Sequence, residues 1–129
     1  HDLNDAFYTS DKILVLENGK MIQFDEVENV RNFPNSEYVA RLFGYVNVLN
    51  KEETSKLNIQ TTDKAIVYPE EVLITDEGIF EGKVIESKFQ GRDYLIKFLM
   101  NDVNLVAYHF KKFKTDELIR FNILKFRPL

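Results

Sequence analysis

The chain contains no cysteine. That removes disulfide frameworks, thiolate metal sites and thiol nucleophiles together, and leaves the sequence compatible with a reducing cytosol. A surplus of positive charge is also missing. Seventeen Lys and Arg residues stand against 21 Asp and Glu, a formal net charge of −4, so no global positive field gathers nucleic acid or anionic lipid. There is no long hydrophobic run. The densest aliphatic stretch, residues 13–16, is far too short to cross a bilayer, and no basic-then-apolar segment opens the chain as a signal peptide would. Direct membrane insertion is therefore not expected. Internal repeats and low-complexity tracts are absent as well.

What remains is an ordinary globular composition. With 129 residues, 44% hydrophobic and 29% charged, the chain fits one domain, or one small domain with an appendage, and excludes two large ones.

Asp2 and Asp5 favour a helix over residues 2–8, one as N-cap and the other in the first turn. Residues 12–16 and 20–24 then flank Asn18 and Gly19, which supply the positive backbone angles of a type I′ hairpin turn. Residues 13–16 are apolar on both faces, as in a strand covered on both sides inside an α/β sheet. Asp25 is placed to cap a short helical turn running to Arg31, and Pro34 disfavours helical geometry at Phe33. A second helix follows over 37–43, capped at Asn35 and Ser36 and ended by Gly44. Its apolar face is Tyr38, Val39, Leu42 and Phe43.

From Tyr45 onward the hydrophobic period changes to two. Strands are expected over 46–50, 64–68, 71–75, 79–89, 94–100, 105–110 and 118–126, with turns at 76–78, 90–93, 101–104 and 114–117. In the last of these, Ile119, Phe121 and Ile123 alternate with Arg120, Asn122 and Leu124. About half a dozen short strands of this kind close naturally into a small, curved barrel of the OB type. The expected architecture is α+β: a short α/β tail over 1–44, then a mainly antiparallel OB-like β-barrel over 45–129.

The order of several short motifs carries a resemblance. His1, Asp2, Asp5 and Ala6, then Ser10, Asp11, Lys12 and Ile13, then the hairpin Gly19, resemble the switch-histidine segment of ABC-transporter ATPases. Asp5 stands where that family usually has Glu, and Ser10 where it has Ala. Residues 35–44 are similar to the helix that closes the nucleotide-binding domain of importers, and Asn47 sits where a boundary Asn is common. Tyr68, Pro69, Glu70, Glu71 and Val72, then Gly82, Lys83 and Val84, then Phe89, Gln90 and Gly91 with Asp93 and Tyr94, look like the accessory TOBE (transport-associated OB) domain. The turn that reads Lys-x-Gly-Asp in that domain appears as Lys114, Thr115, Asp116 and Glu117, without its Gly. The Ser-Ala-Arg-Asn signature of molybdate-binding versions is absent.

The resemblance implies the end of a nucleotide-binding domain, residues 1–44, and a TOBE-like β-barrel accessory domain, residues 45–129, of an importer ATP-binding protein. In such a protein the residue at His1 reaches the γ-phosphate of ATP and helps place the attacking water. ATP and Mg would be held by the longer chain, which is expected to continue upstream of His1. The phosphate cradle Gly-x-x-x-x-Gly-Lys-Ser/Thr does not occur in these residues, so this stretch alone is not expected to hydrolyse ATP. The implied partners are membrane permease subunits and a second copy of the ATP-binding protein, at the cytoplasmic side of the inner membrane. The transported solute is open: ferric ion, polyamine, sulfate and sugar all fit.

The other titratable residues point to structure before chemistry. His109, between Tyr108 and Phe110, has no second His or Cys close by to complete a metal site. Glu70 with Glu71, and Asp76 with Glu77, are neighbours whose side chains diverge on a strand or lie solvated in a turn. Lys111, Lys112, Lys114, Lys125 and Arg127 suggest a solvated basic strand end, or a patch for an anionic ligand. The aromatic strands admit an alternative of another class, a stand-alone OB-like module that binds a small ligand or single-stranded nucleic acid. The acidic balance favours no nucleic-acid partner. Residues 13–16 are expected to be buried between two chains of a homodimer, or against the chain's own barrel.

Overall fold

The computed structural model describes residues 6–8 and 11–129. The chain separates into two compact units, one ending at Val46 and the other running from Asn47 to Pro128.

The first unit is a three-stranded antiparallel sheet with two short helices. Strands β1 (Ala6–Tyr8), β2 (Lys12–Glu17) and β3 (Lys20–Glu26) lie in the order β1-β2-β3. Asn18 and Gly19 turn the β2–β3 hairpin with φ of 52° and 77°, the two positive angles that a type I′ turn requires. Ala6–Tyr8, expected in a helix, is a strand paired with residues 13–15 of β2. The rest of that expected helix, with Asp2 as its cap, lies outside the described residues. Pairing with an apolar neighbouring strand outweighs the weak local preference of two acids.

Helices α1 (Val27–Asn32) and α2 (Glu37–Arg41) follow. Ser36 caps α2 by accepting the Val39 N–H at 3.3 Å, and Gly44 closes this region with φ of 112°. Asp25 does not cap α1. It pairs within β3, Glu26 occupies the cap position, and the Asp25 carboxylate instead accepts bonds from the Glu26 N–H and the Asn29 side chain.

One face of the sheet is sealed. Ala6, Ile13 and Val15 form a core with Val30, Val39 and Leu42, and Ile13 and Val15 are completely buried. Leu14 and Leu16 point to the opposite face and are only half-buried. There Leu14 pairs with Phe7 on one side and Phe24 on the other, and both rings are about half exposed. Residues 13–16 are thus covered on one face by this unit's own core, not on both as an interior α/β strand would be.

The second unit holds the remaining strands: β4 (Asn47–Leu49), β5 (Ala65–Val67), β6 (Val72–Ile74), β7 (Phe80–Phe89), β8 (Tyr94–Met100), β9 (Val103–His109), β10 (Leu118–Ile123) and β11 (Arg127–Pro128). A five-stranded antiparallel sheet runs β6-β10-β7-β8-β9, and a smaller one runs β11-β5-β4. The edge strands β6 and β9 approach each other, so the larger sheet curls into a nearly closed, OB-like barrel. The long β7 makes this possible. It pairs with β10 through Phe80–Lys83 and with β8 beyond Lys83, and a bulge at Ile85 bends it between the two.

The barrel interior is apolar, with Phe98 and Phe121 meeting edge to face at 4.9 Å between ring centroids. Gly78 is required at its place: a Cβ there would sit 2.2 Å from the Phe121 backbone nitrogen. Helix α3 (Lys51–Lys56) begins at Asn50 with a full capping box to Glu53. Asn47, 5% exposed, binds β5 to β9. Its amide donates to the carbonyls of Val67 and Val106 at 3.0 Å each, and its side-chain oxygen accepts the Val106 N–H at 2.8 Å.

Candidate functional site

His1, the sequence-predicted catalytic residue, lies outside the described residues. The remaining candidates fall on the barrel, where the structure sorts them into two groups.

Glu71 and Arg127 form a buried ion pair. Arg127 Nη1 donates to Glu71 Oε1 at 2.7 Å, the same oxygen accepts the Tyr68 N–H at 2.9 Å, and the guanidinium lies 4.7 Å from the centre of the Tyr68 ring. Arg127 is only 6% exposed, so it does not belong to a solvated basic patch. Its charge is spent inside the fold.

The second group lines an open cleft of about 420 Å³. The turn after β6 contributes Thr75, Asp76 and Glu77, the end of β9 contributes His109, and β10 contributes Arg120. Lys111, Phe113 and Glu117 complete the wall. The Thr75 hydroxyl donates to Glu77 at 2.6 Å, and this bond, helped by a backbone N–H, holds the Glu77 carboxyl below its ordinary pKa. Arg120 is anchored, donating through Nε to the Gly78 carbonyl at 2.7 Å with Glu81 3.7 Å away.

His109 stacks on Phe110, with centroids 4.5 Å apart, and packs against Phe113 at 4.9 Å. Its Nδ1 lies 3.0 Å from the Lys111 backbone nitrogen and 3.3 Å from the Lys111 carbonyl oxygen, so the Lys111 backbone holds the ring in place. Asp76 with Glu77 and His109 with Lys111 are therefore brought to one cleft, whereas Glu71 and Arg127 are not. Among the described residues no group of three or more His, Asp or Glu residues is placed to hold a metal ion. Mixed charge around an aromatic wall suits reversible binding of a small polar ligand.

The turn at 114–117 solves its missing glycine with Asp116, which takes a φ of 71°. Asp is one of the few residues that tolerates that region. Its backbone N–H donates to the Val84 carbonyl at 2.8 Å, so the turn is tied to β7.

This tail and barrel resemble the C-terminal part of bacterial ABC-importer ATP-binding proteins. The similarity is to proteins named for polyamine import. The spermidine/putrescine import ATP-binding protein PotA of Mycoplasmopsis synoviae is 26% identical over 143 residues, covering 92% of this chain and 31% of that protein. Its counterpart in Clostridium acetobutylicum is 27% identical over 142 residues, covering 96% of this chain and 40% of that protein. A shorter match, to the protein of the same name in Nitratidesulfovibrio vulgaris, is 38% identical over 50 residues. No family model matches the chain. The chain spans about a third of the length of the curated relatives it matches. Among the described residues, no helix is long and apolar enough to cross a membrane.

Proposed function

We propose that this chain is the C-terminal accessory region of an ABC-importer ATPase subunit, in which residues 1–44 end the nucleotide-binding domain and residues 45–129 form a TOBE-like barrel. The observation that carries the reading is coverage. Several spermidine/putrescine import ATP-binding proteins match more than nine-tenths of this chain, while the chain matches only 31–41% of each of them. Polyamines are accordingly the proposed solute class, ahead of ferric ion, sulfate and sugar.

On this reading ATP and Mg bind the longer polypeptide, and His1 donates to the γ-phosphate as it reacts. Permease subunits at the cytoplasmic face of the inner membrane are the proposed partners, and the ATPase works as a homodimer. What supports burial of the second face of β2 in the assembled protein is its composition. Phe7, Leu14 and Phe24 form a cross-strand row that this unit's core leaves partly open to solvent.

The test is His1→Ala in the longer ATP-binding polypeptide. The expected result is a loss of hydrolysis on the order of 100-fold or more with nucleotide binding kept, because the bond matters mainly in the transition state. Unchanged turnover would contradict the assignment.

A further inference from the structure

Strands β7, β8 and β9 end together at one corner of the barrel. Phe89 stands opposite Tyr94, and Tyr94 opposite His109, so three ring-bearing residues form one row across three strands. The Phe89 and Tyr94 rings lie 5.4 Å apart, and the His109 ring is stacked by Phe110. Phe89, at one end of the row, is 64% exposed, and Phe110, stacked on His109 at the other, is 80% exposed. The hairpin between β7 and β8 places Arg92 beside this row, and the chain leaving β9 adds Lys111 and Lys112, all three exposed.

Of the carboxylates nearby, Asp76, Glu77 and Glu117 share the cleft that His109 and Lys111 line, and two more are paired with lysines. Glu86 pairs with Lys97, Asp116 pairs with Lys83, and Glu117 accepts the Lys114 N–H. Asp93 is half-buried in the hairpin. Arg92 and Lys112 do not line that cleft, and both are exposed.

We propose that this corner binds single-stranded nucleic acid, with bases stacking on Phe89 and Phe110 and phosphates held by Arg92, Lys111 and Lys112. Exposed phenylalanine faces recognise any base, and cations at their border recognise the backbone. A duplex hides its base faces, and an acidic peptide has none to offer. Phe89 and His109 stand two strand spacings apart, about 10 Å, and Phe110 stacks on His109, so the two exposed rings suit successive nucleotides better than one. The OB-like barrel is an architecture on which such stacking platforms are built.

The 129-residue chain is titrated into a fluorescein-labelled oligothymidylate at low salt, with a duplex of equal length and polyglutamate as parallel probes. Anisotropy rises with the single strand, and the affinity falls as salt is raised. Phe110→Ala weakens binding about tenfold, the range of one lost stacking contact. Lys111→Ala combined with Lys112→Ala lowers the slope of log K against log salt by about 1.4, or ~0.7 for each phosphate contact. Leu124→Ala, an exposed residue of the same barrel outside the row, leaves binding unchanged, and far-UV dichroism verifies that every variant is folded. No anisotropy change up to about 100 μM protein, the weak end of non-specific binding, overturns the proposal. So does equal affinity for duplex or polyglutamate, or an affinity indifferent to Phe110→Ala.

Discussion

Arg127 donates to Glu71 across 56 positions of sequence, at 2.7 Å and almost out of contact with water. Because the Glu71 oxygen also accepts the Tyr68 N–H, and the Glu71 carbonyl accepts the Leu124 N–H at 2.8 Å, this pair clips the end of the chain onto the 3₁₀ turn at Pro69–Glu71. Removing either partner breaks a buried charge pair. Arg127→Ala or Glu71→Ala is expected to cost about 3–5 kcal/mol, read from denaturant midpoints of the 129-residue chain. The double variant should cost less than the sum, and strict additivity would show that the pair is not coupled.

Asn47 makes a second prediction about the barrel. Substitution by Ala strands the Val106 N–H and removes the donor to two carbonyls, at a cost of about 1–3 kcal/mol for a buried group left unsatisfied. Asn47→Asp should be at least as damaging, since a carboxylate cannot donate to Val67 and Val106. A stable Asp variant at neutral pH would contradict the hydrogen-bond assignment.

The Thr75–Glu77 contact predicts a titration. The bond to the Thr75 hydroxyl lowers the Glu77 pKa from its ordinary 4.5. A carboxyl depressed in the folded state contributes its stabilisation fully above the unfolded value, and loses it as pH falls through the folded value. Thr75→Val is therefore expected to move the Glu77 midpoint upward, toward 4.5, in a carbon-detected NMR titration. An unmoved midpoint would show that the hydroxyl bond is not the cause.

Much of the barrel is legible from residue order, for reasons that these contacts make concrete. Tyr94–Met100 is a strand over the expected residues because its period-two pattern ends at sharp turns on both sides. Val103–His109 begins two residues earlier than expected: Asn101 takes a φ of 56°, so a two-residue turn replaces the four-residue one. Helix α3 was carried by a signal that hydrophobic periodicity does not register, the Asn50 and Glu53 capping box. The strand at Ala6–Tyr8 was not legible, since its partner lies in β2 and local propensity is blind to such pairing. The candidate cleft was legible only in pieces. Nothing local to residues 75–77 shows that they share a wall with His109 and Arg120, because the barrel closure alone brings β6, β9 and β10 together.

The most direct measurement is polyamine uptake. Bacteria lacking their own spermidine uptake would receive the permease subunits with the longer ATP-binding polypeptide, either intact or ending at residue 44. With the intact polypeptide, radiolabelled spermidine should accumulate in an energy-dependent way that His1→Ala abolishes. Without residues 45–129, uptake or its control by internal polyamine should change. Accumulation that is the same with the intact, truncated and His1→Ala polypeptides, or no accumulation with any of them, would contradict the account.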